Sequence, residues 1–176
     1  MSRAFVRESD LPDEPLFTPS TVLPPGAKNY LTPDGEKRLR AQLDELLHVT
    51  RPPLVQAGDD PDAKLELQKL DRQVRALQVS LQTAEVVAPP QENDGVVRFG
   101  STVTIEEAGG AHSTYRLVGV DEMDLGQGWI SWISPLARAL LSAKKGDTVQ
   151  FSSPAGPRKL KVIDVSYDEP KLEARD

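Results

Sequence analysis

The sequence predicts an α+β protein, with an antiparallel helical hairpin followed by an antiparallel β-sheet domain carrying a short helix. Three observations predict it. Leu67, Leu70, Val74, Leu77 and Leu81 recur at spacings of 3, 4, 3 and 4, the heptad seam of a coiled coil. Leu39, Leu43 and Leu46 form an earlier helical stripe, separated from the seam by a Gly- and Asp-rich turn. Beyond residue 97 the apolar period falls to two, as Val103 and Ile105 alternate with Thr102, Thr104 and Glu106.

Residues 1–29 hold Pro12, Pro15, Pro19, Pro24 and Pro25 among Glu8, Asp10, Asp13 and Glu14. Proline removes backbone donors and little apolar surface remains to bury, so a disordered tail is expected. The hairpin is assigned to residues 30–87. Thr32 is a suitable N-cap and Pro33 falls at the first helical position, where a missing N–H costs nothing. Leu47 and Val49 broaden the apolar face. Pro52 and Pro53 are expected to kink or interrupt the helix. Gly58 suits the left-handed conformation that ends a helix. Asp60 caps the next helix and Pro61 opens it. So short a connection forces the two helices to run antiparallel.

Residues 88–97 are a linker by composition. The sheet domain spans 98–168. Gly109-Gly110 signals a hairpin turn, and Tyr115 and Leu117 lie on the returning strand. Trp129 to Ile133 is a short apolar strand, in which alternation puts Trp129 and Trp132 on opposite faces. Ser134 caps a short helix opened by Pro135. Val149 and Phe151 begin a strand, Pro154-Ala155-Gly156-Pro157 turns it, and Leu160, Val162 and Val165 return. Residues 169–176 form a charged tail.

Composition removes several function classes. The net charge of -6 opposes nonspecific binding to nucleic acid, which depends on neutralising phosphates. There is no cysteine and there are two separated histidines, His48 and His112, so disulfides and zinc sites are not expected. No stretch approaches the roughly 20 apolar residues of a membrane span, and Met1 to Asp10 lacks the apolar run of a signal peptide. The expectation is a cytoplasmic monomer with no cofactor of its own. Asp59, Asp60 and Asp62 surround a helix N-terminus, where carboxylates cap N–H groups and meet the positive end of the dipole.

Several segments together resemble a known family. Asn29-Tyr30-Leu31-Thr32-Pro33, with Gly35 and Leu39, is similar to the opening of the GreA/GreB transcript cleavage factors. Arg51-Pro52 resembles part of their first coiled-coil helix, and Asp71-Arg72-Gln73-Val74-Arg75 resembles the returning helix of GreB. Ile130-Ser131-Trp132-Ile133-Ser134-Pro135-Leu136-Ala137-Arg138-Ala139-Leu140-Leu141, with Gly146-Asp147 and Pro154-Ala155-Gly156, resembles the signature of their FKBP-like C-terminal domain. The resemblance covers residues 29–168.

It implies a regulator of bacterial transcription elongation whose partner is RNA polymerase. The C-terminal domain would dock on the rim of the secondary channel, with Asp121, Glu122, Ser134 and Pro135 at the contact. The hairpin would enter the channel, and acids at its tip would help hold the polymerase's catalytic Mg²⁺ while the polymerase hydrolyses backtracked RNA. The chain itself would not be an enzyme, and it would meet nucleic acid only inside the elongation complex. Asp59 stands where the family has an aspartate and Asp62 where it has a glutamate, with Asp60 and Pro61 between them. Carboxylates suit the role because Mg²⁺ prefers hard oxygen ligands. Against the family pattern, about seven residues are missing from one arm and about six from the other, shortening each by about 10 Å. A non-cleaving, Rnk-like channel-binding regulator or inhibitor is therefore the alternative. A prolyl isomerase, suggested by the FKBP-like fold alone, is a remote one.

Overall fold

The computed structural model describes residues 22–167, and the tail expected over most of 1–29 and over 169–176 lies outside the described residues. The architecture is α+β, with a helical arm and a five-stranded sheet.

The arm begins with a short strand, β1 (Asn29–Leu31), so Asn29, assigned to the tail by its sequence, is already ordered. Helix α1 (Pro33–Glu45) follows, with the Thr32 side chain accepting from the Gly35 N–H at 2.9 Å. The prolines at 52 and 53 do not end the helix. The chain widens into a π-helical turn over Leu46–Thr50, where the Arg51 N–H reaches back five residues to the Leu46 carbonyl, and continues as α2 (Arg51–Gln56). A wider turn absorbs the missing donors and gives the proline rings room against the preceding carbonyls.

Gly58, at φ +63°, reverses the chain, and α3 (Pro61–Thr83) returns. Along α3 the shielded positions are Ala63, Leu67, Leu70, Val74, Leu77 and Leu81, the heptad seam, and they face the first arm. Arg51 Nε donates to Asp71 Oδ1 across the arms at 2.9 Å. At the open end, β2 (Ala84–Val86) pairs in parallel with β1, with Asn29 opposite Ala84 and Leu31 opposite Val86.

The sheet has the order β5-β4-β3-β7-β6. Its strands are β3 (Thr102–Glu107), β4 (His112–Val118), β5 (Trp129–Ser131), β6 (Thr148–Ser153) and β7 (Gly156–Ser166). The hairpin turn falls at Gly109-Gly110 as expected, with Gly110 at φ +79°. Between Thr104 and Ile105 the β3–β7 register shifts, a bulge that skips Ile163. Val162 and Val165 lie three apart, and the extra residue brings both to the buried face. Short helix α4 (Pro135–Leu140) covers that face with Leu136, Ala137 and Leu140 against Val103, Ile105, Leu117, Ile130, Phe151 and Leu160.

Three expectations are corrected here. The sheet is mixed, because β4 and β5 pair in parallel. Residues 119–128 wind through two 3₁₀ turns, Val120–Glu122 and Leu125–Gln127, and bring the chain back beside Arg116, within β4, before β5 begins. The strand expected at Trp129 to Ile133 ends at Ser131, where a turn closed by the Ser134 N–H on the Ser131 carbonyl leads into α4. The stretch read as linker to residue 97 contributes to the sheet unit: Val97 is a core residue and its N–H donates to the Ala143 carbonyl at 2.8 Å.

Candidate functional site

The tip of the hairpin carries the three acids singled out by the sequence. Asp60 has extended backbone and its Oδ1 accepts from the Asp62 N–H at 3.0 Å, while its carbonyl accepts from the Lys64 N–H. Asp60 is thus occupied in starting α3, as its position before Pro61 requires. Asp59 projects fully into solvent, with Lys64 Nζ 2.7 Å from its Oδ1. Asp62 lies exposed in the first turn of the helix. The turn brings the three carboxylates into one exposed patch, but no group of three or more His, Asp or Glu converges to hold a metal among the described residues.

The other residues singled out lie at the opposite end, about 35 Å away for the 23 residues of α3 at a helical rise of ~1.5 Å. Glu122 does not face solvent. Its carboxylate is buried and accepts from the Thr32 N–H at 2.9 Å, the Thr32 hydroxyl at 2.5 Å, the Gly119 N–H at 3.0 Å and Arg38 Nη2 at 3.4 Å. A residue of the sheet unit therefore holds the capping residue of the first helix. The contact expected of Glu122 on a polymerase rim gives way to an internal latch, because its oxygens are spent on donors of its own chain. Asp121 remains exposed, and its carboxylate accepts from the buried Ser80 hydroxyl on α3. Ser134 is buried and caps α4, accepting from the Ala137 N–H at 3.2 Å. Of that set, Asp121 and Pro135 present exposed surface.

Close approach at the latch requires two glycines. A Cβ on Gly35 would stand 1.8 Å from Glu122 Oε1, and one on Gly119 would stand 2.1 Å from the Tyr30 carbonyl oxygen. Around them Tyr30 packs on Trp132 and Phe99, with ring centroids 5.1 and 5.6 Å away. The Arg38 guanidinium lies 4.4 Å from the Trp129 ring centroid, a cation–π contact. Both tryptophans thus serve the same junction rather than opposite faces of a strand. Asn29 Nδ2 donates to the Ser80 carbonyl at 3.2 Å, binding β1 to α3. Beside it the Glu85 carboxylate accepts from Lys28 Nζ and holds that ammonium above its ordinary pKa.

Sequence reasoning found the cap at Thr32 and singled out Gly35 only as part of a motif; it did not foresee the parts that Gly35, Arg38, Ser80 and Gly119 play at this junction. Gly35 carried a usable signal. Glycine in the first turn of a helix is costly relative to alanine unless something approaches its Cα.

The chain is similar to several known proteins. Residues 91–167 match the family model described as Transcription elongation factor, GreA/GreB, C-term. The chain is 37% identical over 154 residues to the transcription elongation factor GreB of Neisseria meningitidis serogroup A, covering 80% of this chain and 94% of that protein. It is 40% identical over 160 residues to GreB of Xanthomonas axonopodis pv. citri, covering 82% and 95%. Among solved structures, the GreA factor homolog 1 (Gfh1) of Thermus thermophilus is similar at 26% identity and a TM-score of 0.38, covering 80% of this chain and 99% of that one. The relatives are factors in transcription elongation, in keeping with the expectation that the chain is not itself an enzyme. Since relatives this similar are matched over nearly their whole length, the chain belongs to the GreA/GreB family of transcription elongation factors.

Proposed function

We propose that this protein is a cytoplasmic, monomeric regulator of elongation that binds RNA polymerase at its secondary channel and stimulates cleavage of backtracked RNA. In this reading the sheet unit, FKBP-like in fold, sits on the channel rim through Asp121 and Pro135. The coiled-coil hairpin carries Asp59 and Asp62 inward to the polymerase's Mg²⁺. There a carboxylate supplies hard oxygen and orients a water, while the bond-breaking remains the polymerase's own chemistry.

The observation that carries this reading is the separation of roles along the rod. The carboxylates at one end are exposed, and the other end is latched to the sheet unit through Glu122. A tip built this way is placed by wherever the sheet unit docks, and catalysis is sensitive to misplacement of about 1 Å.

The test is RNA cleavage in a stalled, backtracked complex with purified polymerase and Mg²⁺. Shortened transcripts that appear with the protein, and disappear with Asp59→Ala and Asp62→Ala, support it. Absence of shortening by the wild-type chain at saturating binding ends it.

A second reading, a channel-blocking regulator without cleavage, has one specific observation in its favour. Lys64 Nζ lies 2.7 Å from Asp59 Oδ1, which offsets the negative charge the tip would bring to a cation. Under that reading the protein displaces a cleavage-active family member from polymerase yet leaves backtracked RNA intact.

A further inference from the structure

The outer side of the hairpin base, next to α3, holds a depression of about 500 Å³ lined by Leu23, Arg72, Arg75, Ala76, Val79 and Thr83, with Asn29, Ser80 and Asp121 at its inner edge. Its chemistry is mixed. Val79 is half-exposed at 53%, and Arg72 and Arg75, three apart on one helix face, extend into solvent. The nearby acid, Asp121, is engaged by the Ser80 hydroxyl, and Asp71 is engaged by Arg51.

The chain itself enters this depression. The Ala27 N–H donates to the Pro24 carbonyl at 3.0 Å and Gly26 takes φ +80°, so a tight turn lays Leu23 against the pocket while leading the later chain away into β1. The residues before Leu23 therefore start from the pocket wall. Residues 8–17, Glu-Ser-Asp-Leu-Pro-Asp-Glu-Pro-Leu-Phe, carry four carboxylates and no cation, together with Leu11, Leu16 and Phe17. Glu14 lies nine positions before Leu23, enough for about 30 Å of extended chain. The 12 residues from Arg72 to Thr83 cover less than about 20 Å of helix.

We infer that the depression on α3 is the docking surface for the chain's own acidic N-terminal segment, residues 8–17. Its carboxylates meet Arg72 and Arg75, and its apolar residues cover Ala76 and Val79. No regular structure is needed, because charge complementarity and tethering supply the attraction, and the tether raises the local concentration of the segment. The segment would neutralise the cationic side of the arm until another anionic surface displaces it.

The chain has no cysteine, so Ser9→Cys provides a single attachment point for a nitroxide spin label on the full-length protein. The expected result at low salt is selective broadening of the backbone amide signals of residues 72–83. That broadening should be lost in the Arg72→Glu, Arg75→Glu double variant and reduced at ~1 M salt, where screening shortens the Debye length to about 3 Å. Three results would overturn the inference. One is unbroadened amides at 72–83 at low salt. Another is broadening that persists unchanged in the double variant. The third is broadening seen only when labelled chains are mixed with isotope-enriched, unlabelled chains, which would make the occupant a second copy. The measurement needs no polymerase, so its outcome is separate from that of the proposed function.

Discussion

Thr32-Pro33-Asp34 at the base of the hairpin and Asp60-Pro61-Asp62 at its tip are the same local device. In each, a capping oxygen precedes a proline at the first helical position, with an acid behind it. Their surroundings differ completely. Thr32 is buried at 2% exposure and is held by Glu122 from the sheet unit, whereas Asp60 is exposed and its side chain accepts from the Asp62 N–H within its own turn. Local sequence therefore starts both helices, and tertiary context decides what else each start does. At the base the cap becomes part of a joint. At the tip the cap stays local: Asp60 is spent on its own helix, Asp59 is exposed beside Lys64, and Asp62 lies exposed in the first turn.

The largest expected effects break the base. Glu122→Ala leaves the Thr32 and Gly119 N–H groups buried and without their acceptor. It is expected to destabilise by about 3–5 kcal/mol, read by urea unfolding. Gly35→Ala makes a sharper test because its sign is inverted. An exposed helical glycine replaced by alanine gains about 0.5–1 kcal/mol, but here the added Cβ collides with the Glu122 carboxylate. A loss of about 2 kcal/mol or more is expected, and a gain would show that the latch does not hold in solution.

Tip substitutions should have the opposite profile. Asp60→Ala is expected to cost about 1 kcal/mol of stability as a lost cap. Asp59→Ala and Asp62→Ala should change stability by no more than about 0.5 kcal/mol, while removing stimulated RNA cleavage. Across the middle of the rod, Arg51→Ala removes a half-exposed ion pair with Asp71 and should cost about 0.2–1 kcal/mol, less at high salt.

The smallest effect concerns the sheet unit that anchors the base. Hydrogen bonding from Arg98 holds the Asp94 carboxyl well below the usual carboxylate range, and Lys145 lowers that of Asp164 in the same way. A depressed folded pKa contributes stability above the unfolded value of about 3.9. That contribution is lost as the pH falls towards the folded value. Both groups are at the surface, so a modest fall in Tm is expected that begins below about pH 5 and continues below about pH 3, flattened in the Asp94→Asn, Asp164→Asn variant.

What could be read from the sequence was local or periodic. The seam from Leu67 to Leu81, the Gly58 reversal, the caps at Thr32, Asp60 and Ser134, and the Gly109-Gly110 turn each need only neighbours within a few residues. What escaped was long-range. Thr32 and Glu122 are 90 positions apart, and nothing around Glu122 distinguishes a latch from a solvated turn. Strands β1 and β2 are three residues each, too short for alternation to show, and pair across more than 50 positions. The parallel pairing of β5 depends on how residues 119–128 fold, and their 3₁₀ turns leave no periodic trace. The tip acids were legible as residue types and as caps. Whether a carboxylate acts on a partner depends on where the rest of the rod places it.

The most direct test of that placement replaces the polymerase's Mg²⁺ with Fe²⁺ in a complex with this protein and generates hydroxyl radicals at the metal. Scission of the bound chain is expected to be confined to residues 57–63. Scission in the sheet unit, or an uncut chain in a complex shown to be fully formed, would contradict it.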